Sequence, residues 1–141
     1  MSAESPEPAV ERTSPRREGQ QRIRERSFAY ALRAIKLYQF LQSRRNGAGW
    51  VLGRQYLRSA SSIGANVEEA QSAESRADFI HKLGVAQKEA RESLYWLRLL
   101  TESGIVPRTR VAPLMRETDQ MIAVITAIII STKRRKRSGN S

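Results

Sequence analysis

The chain has 141 residues and carries 25 lysines and arginines against 14 acids, a formal charge of +11 at pH 7. That length predicts a single domain, and the absence of cysteine excludes disulfides, thiol nucleophiles and cysteine metal sites. A hydrophobic content of 40% with 6% aromatics supports a modest core, and no alternating run bounded by turn dipeptides suggests a strand hairpin.

Residues 1–26 hold six basic and five acidic side chains, with Pro6, Pro8 and Pro15 among them, and read as a disordered tail. They lack the apolar middle of a secretory leader, which with the missing cysteines fits a cytoplasmic protein. A first helix begins at Ser27, a residue suited to cap it. Its apolar positions Phe28, Ala31, Leu32, Ile35, Tyr38 and Leu41 step by three and four toward the turn cluster Asn46, Gly47, Ala48, Gly49.

The second helix begins near Trp50 and reaches about Gln71. Its stretch 57–70 is unusually slim: Ala60 and Gly64 share a face with Leu57, Ile63 and Val67, flanked by Ser59, Ser61, Ser62 and Ala65. Glycine at 64 costs ~1 kcal/mol of helix propensity, so close packing is its expected purpose. The expected partner is the third helix, with the seam running along Ala60, Gly64, Ala86 and Ala90. Ser75 and Asp78 form a variant of the capping box for that third helix. It runs from about Arg76 to Ser103 along Phe79, Leu83, Ala86, Ala90, Leu94, Leu97 and Leu100, and at about 42 Å it is expected to be the longest element. Gly104 supplies a left-handed stop, with Pro107 beyond it.

The fourth helix is expected over roughly 110–133, with Pro113 tolerated in its first turn. Residues 121–130 are apolar apart from Thr126. Ten residues cannot cross a bilayer that needs about 20, so no membrane role is expected. Apolar side chains nearly all the way round suggest burial against a second subunit through Ile125 and Ile129; a tightly wrapped core helix is the alternative. Four helices with short connections predict an all-α, antiparallel up-down-up-down bundle. The bundle occupies 27–132, between the tail 1–26 and a basic disordered tail 133–141.

Little in the chain looks catalytic. His81 is the sole histidine, and no metal or cofactor is expected. Glu89 and Glu92 share a face but lack a nucleophile or glycine-rich loop beside them; pairing with Arg54, Arg58 or a neighbouring subunit explains them better. Ser59, Ser61 and Ser62 lie in no nucleophile elbow, and no phosphate loop of Walker type occurs. The protein is expected not to be an enzyme. Tyr95 and Trp96 lie outside the seam of the third helix, where they suit base stacking or, the preferred reading, a subunit contact.

The last nine residues carry five basic groups and no acid. The physical partner for such a cluster is a polyanion, RNA ahead of DNA and both ahead of an anionic membrane. The expected nucleic-acid set is Lys133, Arg134, Arg135, Lys136 and Arg137, helped by Arg54 and Arg58. The alternative is a protein–protein scaffold whose basic tail only assists solubility or binding.

Three blocks carry a family resemblance: 58–70, 79–92, and 95–100 followed by Glu102, Ser103 and Gly104. They resemble the small bacterial four-helix-bundle proteins encoded in 23S rRNA intervening sequences, which are similar to the accessory variability determinants of diversity-generating retroelements. The pattern R-S-A-x-S-I-x-A-N-x-x-E falls on Arg58, Ser59, Ala60, Ser62, Ile63, Ala65, Asn66 and Glu69. The resemblance covers roughly 28–132 and leaves out both tails. It implies a homopentameric barrel with a basic surface and no catalytic residues. For the retroelement branch it also implies a reverse transcriptase as partner.

Overall fold

Four α-helices make up the structure, a computed structural model that describes residues 15–138: α1 (Pro15–Ser43), α2 (Gly47–Gln71), α3 (Arg76–Glu102) and α4 (Arg108–Ser138). Buried positions step by three and four along each helix. On α1 they are Ile23, Ser27, Tyr30, Ala34, Leu37 and Leu41; on α2, Gly49, Gly53, Tyr56, Ala60, Ile63, Val67 and Ala70. On α3, Leu83, Ala86, Ala90, Ser93, Leu97 and Leu100 continue the pattern, and on α4, Val111, Leu114, Thr118, Met121 and Ile125. This spacing places one seam per helix and suits near-parallel packing with crossing angles of about 20°. α1 packs on α2 and α4, and α3 packs on the same two, so the helices run up-down-up-down around a square.

The expected helix stops hold. The Asn46 side chain accepts from the Gly49 amide at 2.9 Å and the Ser75 hydroxyl from the Asp78 amide at 3.0 Å, capping α2 and α3. Gly104 takes a left-handed φ of 78° that a side chain would resist. The Trp50 indole donates to the carbonyls of Leu41 and Arg44 at 3.0 and 2.7 Å, closing the end of α1.

Both bundle boundaries lie further out than the sequence reading set them. α1 begins at Pro15, so Ser27 is no cap; its buried hydroxyl donates to the Arg24 carbonyl at 3.1 Å. Within 15–26 only Ile23 is large and apolar, too sparse a signal for a period, yet it is buried to 1% exposure. Pro15 opens α1, where a missing N–H costs nothing. α4 begins at Arg108, which puts Pro113 beyond its first turn, and it continues to Ser138. Residues 133–138 are therefore helical, their positive charge matched to the negative end of the helix dipole. With 31 residues and about 46 Å, α4 rather than α3 is the longest element. Residues 1–14 and 139–141, the outer parts of the two expected tails, lie outside the described residues.

The inward face of α1 also differs from expectation. Phe28, Leu32 and Ile35 were read as its core line, yet they are 67%, 49% and 41% exposed. The face turned inward carries Tyr30, which with Tyr56 builds a buried polar chain. The Tyr56 hydroxyl donates to Tyr30 at 2.8 Å; Tyr30 and Thr118 are hydrogen-bonded at 2.7 Å; Thr118 donates to the Leu114 carbonyl at 2.7 Å. Three helices are thereby tied through hydroxyls that would cost ~1–3 kcal/mol each if left unpaired. The two rings meet edge to face, with centroids 6.4 Å apart.

The small-residue seam between α2 and α3 holds Ala60, Ala86 and Ala90, each with no exposure. The Ser93 hydroxyl donates across it to Ser59 at 2.8 Å. Gly64 does not belong to this seam. A Cβ there would stand 3.4 Å from the Ser27 carbonyl oxygen of α1, so the thin face of α2 serves two neighbours. The tightest approach is at Gly53, where a Cβ would lie 2.7 Å from Leu41 Cδ1.

Three outcomes are expected. Gly53→Ala forces the buried Leu41 aside and destabilises by about 1–2 kcal/mol despite better helix propensity, whereas Gly64→Ala is near neutral or mildly stabilising; urea titration reads both. Thr118→Val strands the Tyr30 donor and costs ~1–3 kcal/mol. Burial is the leading cause that raises the pKa of both Tyr30 and Tyr56 above the ordinary 10.0. The folded chain therefore holds protons that the unfolded chain releases. Stability is full below pH 10 and falls as pH rises above it, with a slope that Tyr56→Phe reduces.

Candidate nucleic-acid interface

The first turns of α1 lie against the last turns of α4, with Pro15, Gly19 and Gln20 beside Ala127, Ile128, Ser131 and Arg135. The end of α2 and the start of α3 arrive at the same end of the bundle. A hollow of about 640 Å³ runs along Arg17, Gln20, Gln21, Arg22, Arg24 and Gln71. A second, of about 320 Å³, shares Gln20 and Gln71 and adds Ser75, Arg76 and Thr132. The guanidinium, amide and hydroxyl groups of this shared groove suit phosphate oxygens, with the Glu18 carboxylate and the Phe79 ring among them.

Carboxylates hold part of this surface in place. Arg24 Nε and Nη2 each donate to Glu68 at 3.1 Å, a pairing that raises the arginine pKa. Beside it, Arg26 donates to Glu117 at 2.9 and 3.0 Å and to Gln120 at 2.8 Å. The Glu117 bond likewise raises the Arg26 pKa and fastens α1 to α4.

The seven residues expected to bind nucleic acid do not form one cluster. Lys133 and Arg134 are exposed, and Arg135 is half-buried with its guanidinium donating to the Thr132 hydroxyl at 3.3 Å. Lys136 and Arg137 belong to the last turn of α4. Five consecutive helical residues point all round the axis at about 100° per residue, so only some of them face the groove. Arg58 lies in the middle of α2 and reaches α3, where it meets Glu92 and stands 3.6 Å from Glu89. It is neutralised there, as the carboxylate reading anticipated, and is not an open phosphate contact. Arg54 is exposed and lies toward the opposite end. Arg17, Arg22 and Arg76 were missed because the first stood in a segment read as a tail and charge alone does not reveal a helix face.

Of the expected subunit contacts, Ile125 has no exposure: it sits in the core of a single chain and offers nothing to a neighbour. Ile129 is half-buried. Tyr95 is 53% exposed and meets the half-buried Trp96 edge-on at 5.1 Å. The larger apolar surface is the missed stripe Phe28, Leu32, Ile35, at spacings of four and three on α1. Next to Phe28, Ala31, Ser61, Gly64 and Ala65 line a shallow hollow of about 210 Å³ between α1 and α2. No helix among the described residues is long and apolar enough to cross a membrane.

A family model described as 23S rRNA-intervening sequence protein matches residues 19–127. The chain is also similar to a crystal structure of a protein of unknown function from the S23 ribosomal protein family of Bacteroides thetaiotaomicron. The two are 37% identical, the match covers 79% of this chain and 97% of that one, and the TM-score is 0.74. No curated protein matches. The matched region holds most of all four helices, the buried hydroxyl chain and Arg22, Arg24 and Arg26 but not Arg17, and the chain belongs to the 23S rRNA-intervening sequence protein family.

Proposed function

We propose that this protein is a non-enzymatic, homo-oligomeric RNA-binding bundle that grips phosphates through its basic end. The observation that carries this reading is the groove where Arg17 and Arg22 line one wall, beside an Arg24 held by Glu68, while the basic last turns of α4 lie alongside. RNA stands ahead of DNA because the family name refers to an rRNA intervening sequence. The gene neighbourhood tests the narrower version: a reverse-transcriptase gene found beside this one would support an accessory factor to that enzyme, and an rRNA locus would support the rRNA-linked version.

Assembly supports the same reading. Phe28, Leu32 and Ile35 form an apolar stripe edged by the exposed Arg33 and Lys36, an apolar centre with a charged rim. Association through this stripe gathers several basic ends on one rim, and a cytoplasmic homopentamer is the form we favour. Light scattering is expected to read a mass several times the 16.0 kDa chain. Leu32→Glu is expected to return it to a folded single chain; a mass near 16.0 kDa for the unaltered protein ends this part of the reading.

Lys133→Gln combined with Arg134→Gln removes two exposed phosphate contacts. The expected result is weaker binding of labelled RNA and a log–log salt slope shallower by about 1.4, at ~0.7 per single-strand contact. A complex with natural RNA that ignores salt up to high concentration indicates the alternative, a protein partner with the basic end only assisting.

A further inference from the structure

The opposite end of the bundle is more purely positive than the groove end. Residues 40–58 and 95–116 hold eight arginines, no lysine and one acid, Glu102. That acid stands 3.9 Å from Arg98. The turn between α1 and α2 and the turn between α3 and α4 close on each other here. A Cβ on Gly49 would lie 3.2 Å from Ile105 Cγ2.

The arginines of this end differ in what holds them. Arg98 stands near a carboxylate, as Arg24, Arg26 and Arg58 do elsewhere in the bundle. Arg44 and Arg110 rest instead on one phenyl ring: their guanidinium carbons lie 4.6 and 3.8 Å from the Phe40 centroid. A cation over a ring engages its π face and leaves its N–H edges unspent. Two guanidiniums are thus held on one ring, and no ion pair to either is found among the described residues. Arg45, Arg54 and Arg108 are exposed nearby.

The helix dipoles largely cancel here, since α2 and α4 begin at this end while α1 and α3 finish at it, and with no acid in the first turns of α2 and α4 the arginines set the sign. Trp50 completes the surface: its indole N–H is fixed by the Leu41 and Arg44 carbonyls, and the residue is 40% exposed. A fixed aromatic ring beside pre-positioned guanidiniums is the combination that takes phosphates and unstacked bases together.

We propose that this end, built from Phe40, Arg44, Trp50 and Arg110, is a second RNA contact that takes an unpaired stretch. Its phosphates meet the guanidiniums of Arg44 and Arg110, and a base stacks on Trp50. The proposal rests on the RNA-binding reading above and adds a site at the far end from its groove. A duplex, whose bases are already stacked on each other, has only its phosphates to offer here.

Trp50 reports on the site directly. In a Trp96→Phe chain it is the remaining tryptophan, and titration with a fluorescein-free, unpaired RNA oligonucleotide is expected to quench its emission. The Lys133→Gln, Arg134→Gln chain is expected to keep that quenching. Arg44→Gln with Arg110→Gln, both at exposed positions, is expected to weaken unpaired RNA about tenfold and to flatten the salt slope by about 1.4, with duplex RNA affected less. If a labelled oligonucleotide binds the unaltered chain while Trp50 emission stays constant and the double variant binds equally well, this site is overturned and the groove reading stands. If the unaltered chain binds no RNA at low salt, the groove reading falls and this one with it. Binding to anionic vesicles in place of RNA also overturns it.

Discussion

The rest of the fold depends on the hydroxyl chain from Tyr56 through Tyr30 and Thr118 to the Leu114 carbonyl, because it decides which face α1 turns inward. Two apolar faces compete on that helix. One carries Tyr30, Ala34, Leu37 and Leu41; the other carries Phe28, Leu32 and Ile35. Each large aliphatic or aromatic side chain gains ~1.5–3 kcal/mol by burial, so hydrophobic area alone scarcely separates the two. Rotating α1 to bury the second face would carry Tyr30 to solvent and leave the buried Tyr56 phenol without its acceptor, while Thr118 keeps its bond to the Leu114 carbonyl. At ~1–3 kcal/mol for a buried unpaired group, that penalty decides the matter. The apolar stripe left outside is therefore a consequence of a polar core.

That competition also explains what could be read from the sequence. α2 and α3 were legible because each carries one apolar line with clear punctuation, Ser75 as a cap and Gly104 as the left-handed stop, although Asn46, read as part of a turn, proves to cap an α2 that starts at Gly47. α1 was legible as a helix, but its face was not, since Phe28, Leu32 and Ile35 have the same period as the true core and larger side chains. Ser27 and Ala34, which mark the inner face, look like a cap and a filler until Tyr56 and Thr118 are placed opposite. In α4 the apolar excess was visible but its allocation was not. Ile125 fills the core of its own chain, and Ile130, 45% exposed, is the side chain that faces out. The groove was hidden because Gln20, Arg76 and Thr132 stand more than fifty positions apart and meet only when α1 continues past its expected boundary.

Charge is organised by what each arginine rests on, which a count of basic residues does not reveal. Arg26 spends its guanidinium on Glu117 and Gln120 and so acts as a clasp between α1 and α4. Arg58 is shared by Glu89 and Glu92 and ties α2 to α3. These are partly exposed pairs whose net worth is modest, and their value lies in fixing neighbours. Lys133 and Arg134 sit where the dipole of α4 welcomes positive charge, so helix stability accounts for part of their presence. Arg108 and Arg110 sit at the opposite pole, where the same dipole opposes them. Arg110 is held there by the Phe40 ring, 3.8 Å from its guanidinium carbon.

The placement of the two basic ends bears on how copies of the chain could meet. Leu32 lies twelve residues before Arg44, about 18 Å along α1, and a similar distance separates Phe28 from the groove end at Arg17. Both spans exceed the ~8 Å screening length at physiological salt. An apolar contact at mid-height is therefore shielded from the repulsion that two strongly positive ends would otherwise impose. The middle of the bundle helps, because Glu89, Glu92, Glu117 and Asp119 lie there among Arg33, Lys36, Lys82, Lys88 and Arg91. Association side by side through the stripe keeps like charge at the rims. Association end to end would press Arg44, Arg45, Arg108 and Arg110 of one copy against another positive surface. Should copies of the chain meet, the positive charge at both ends thus disfavours end-to-end contact more than contact along the apolar stripe of α1.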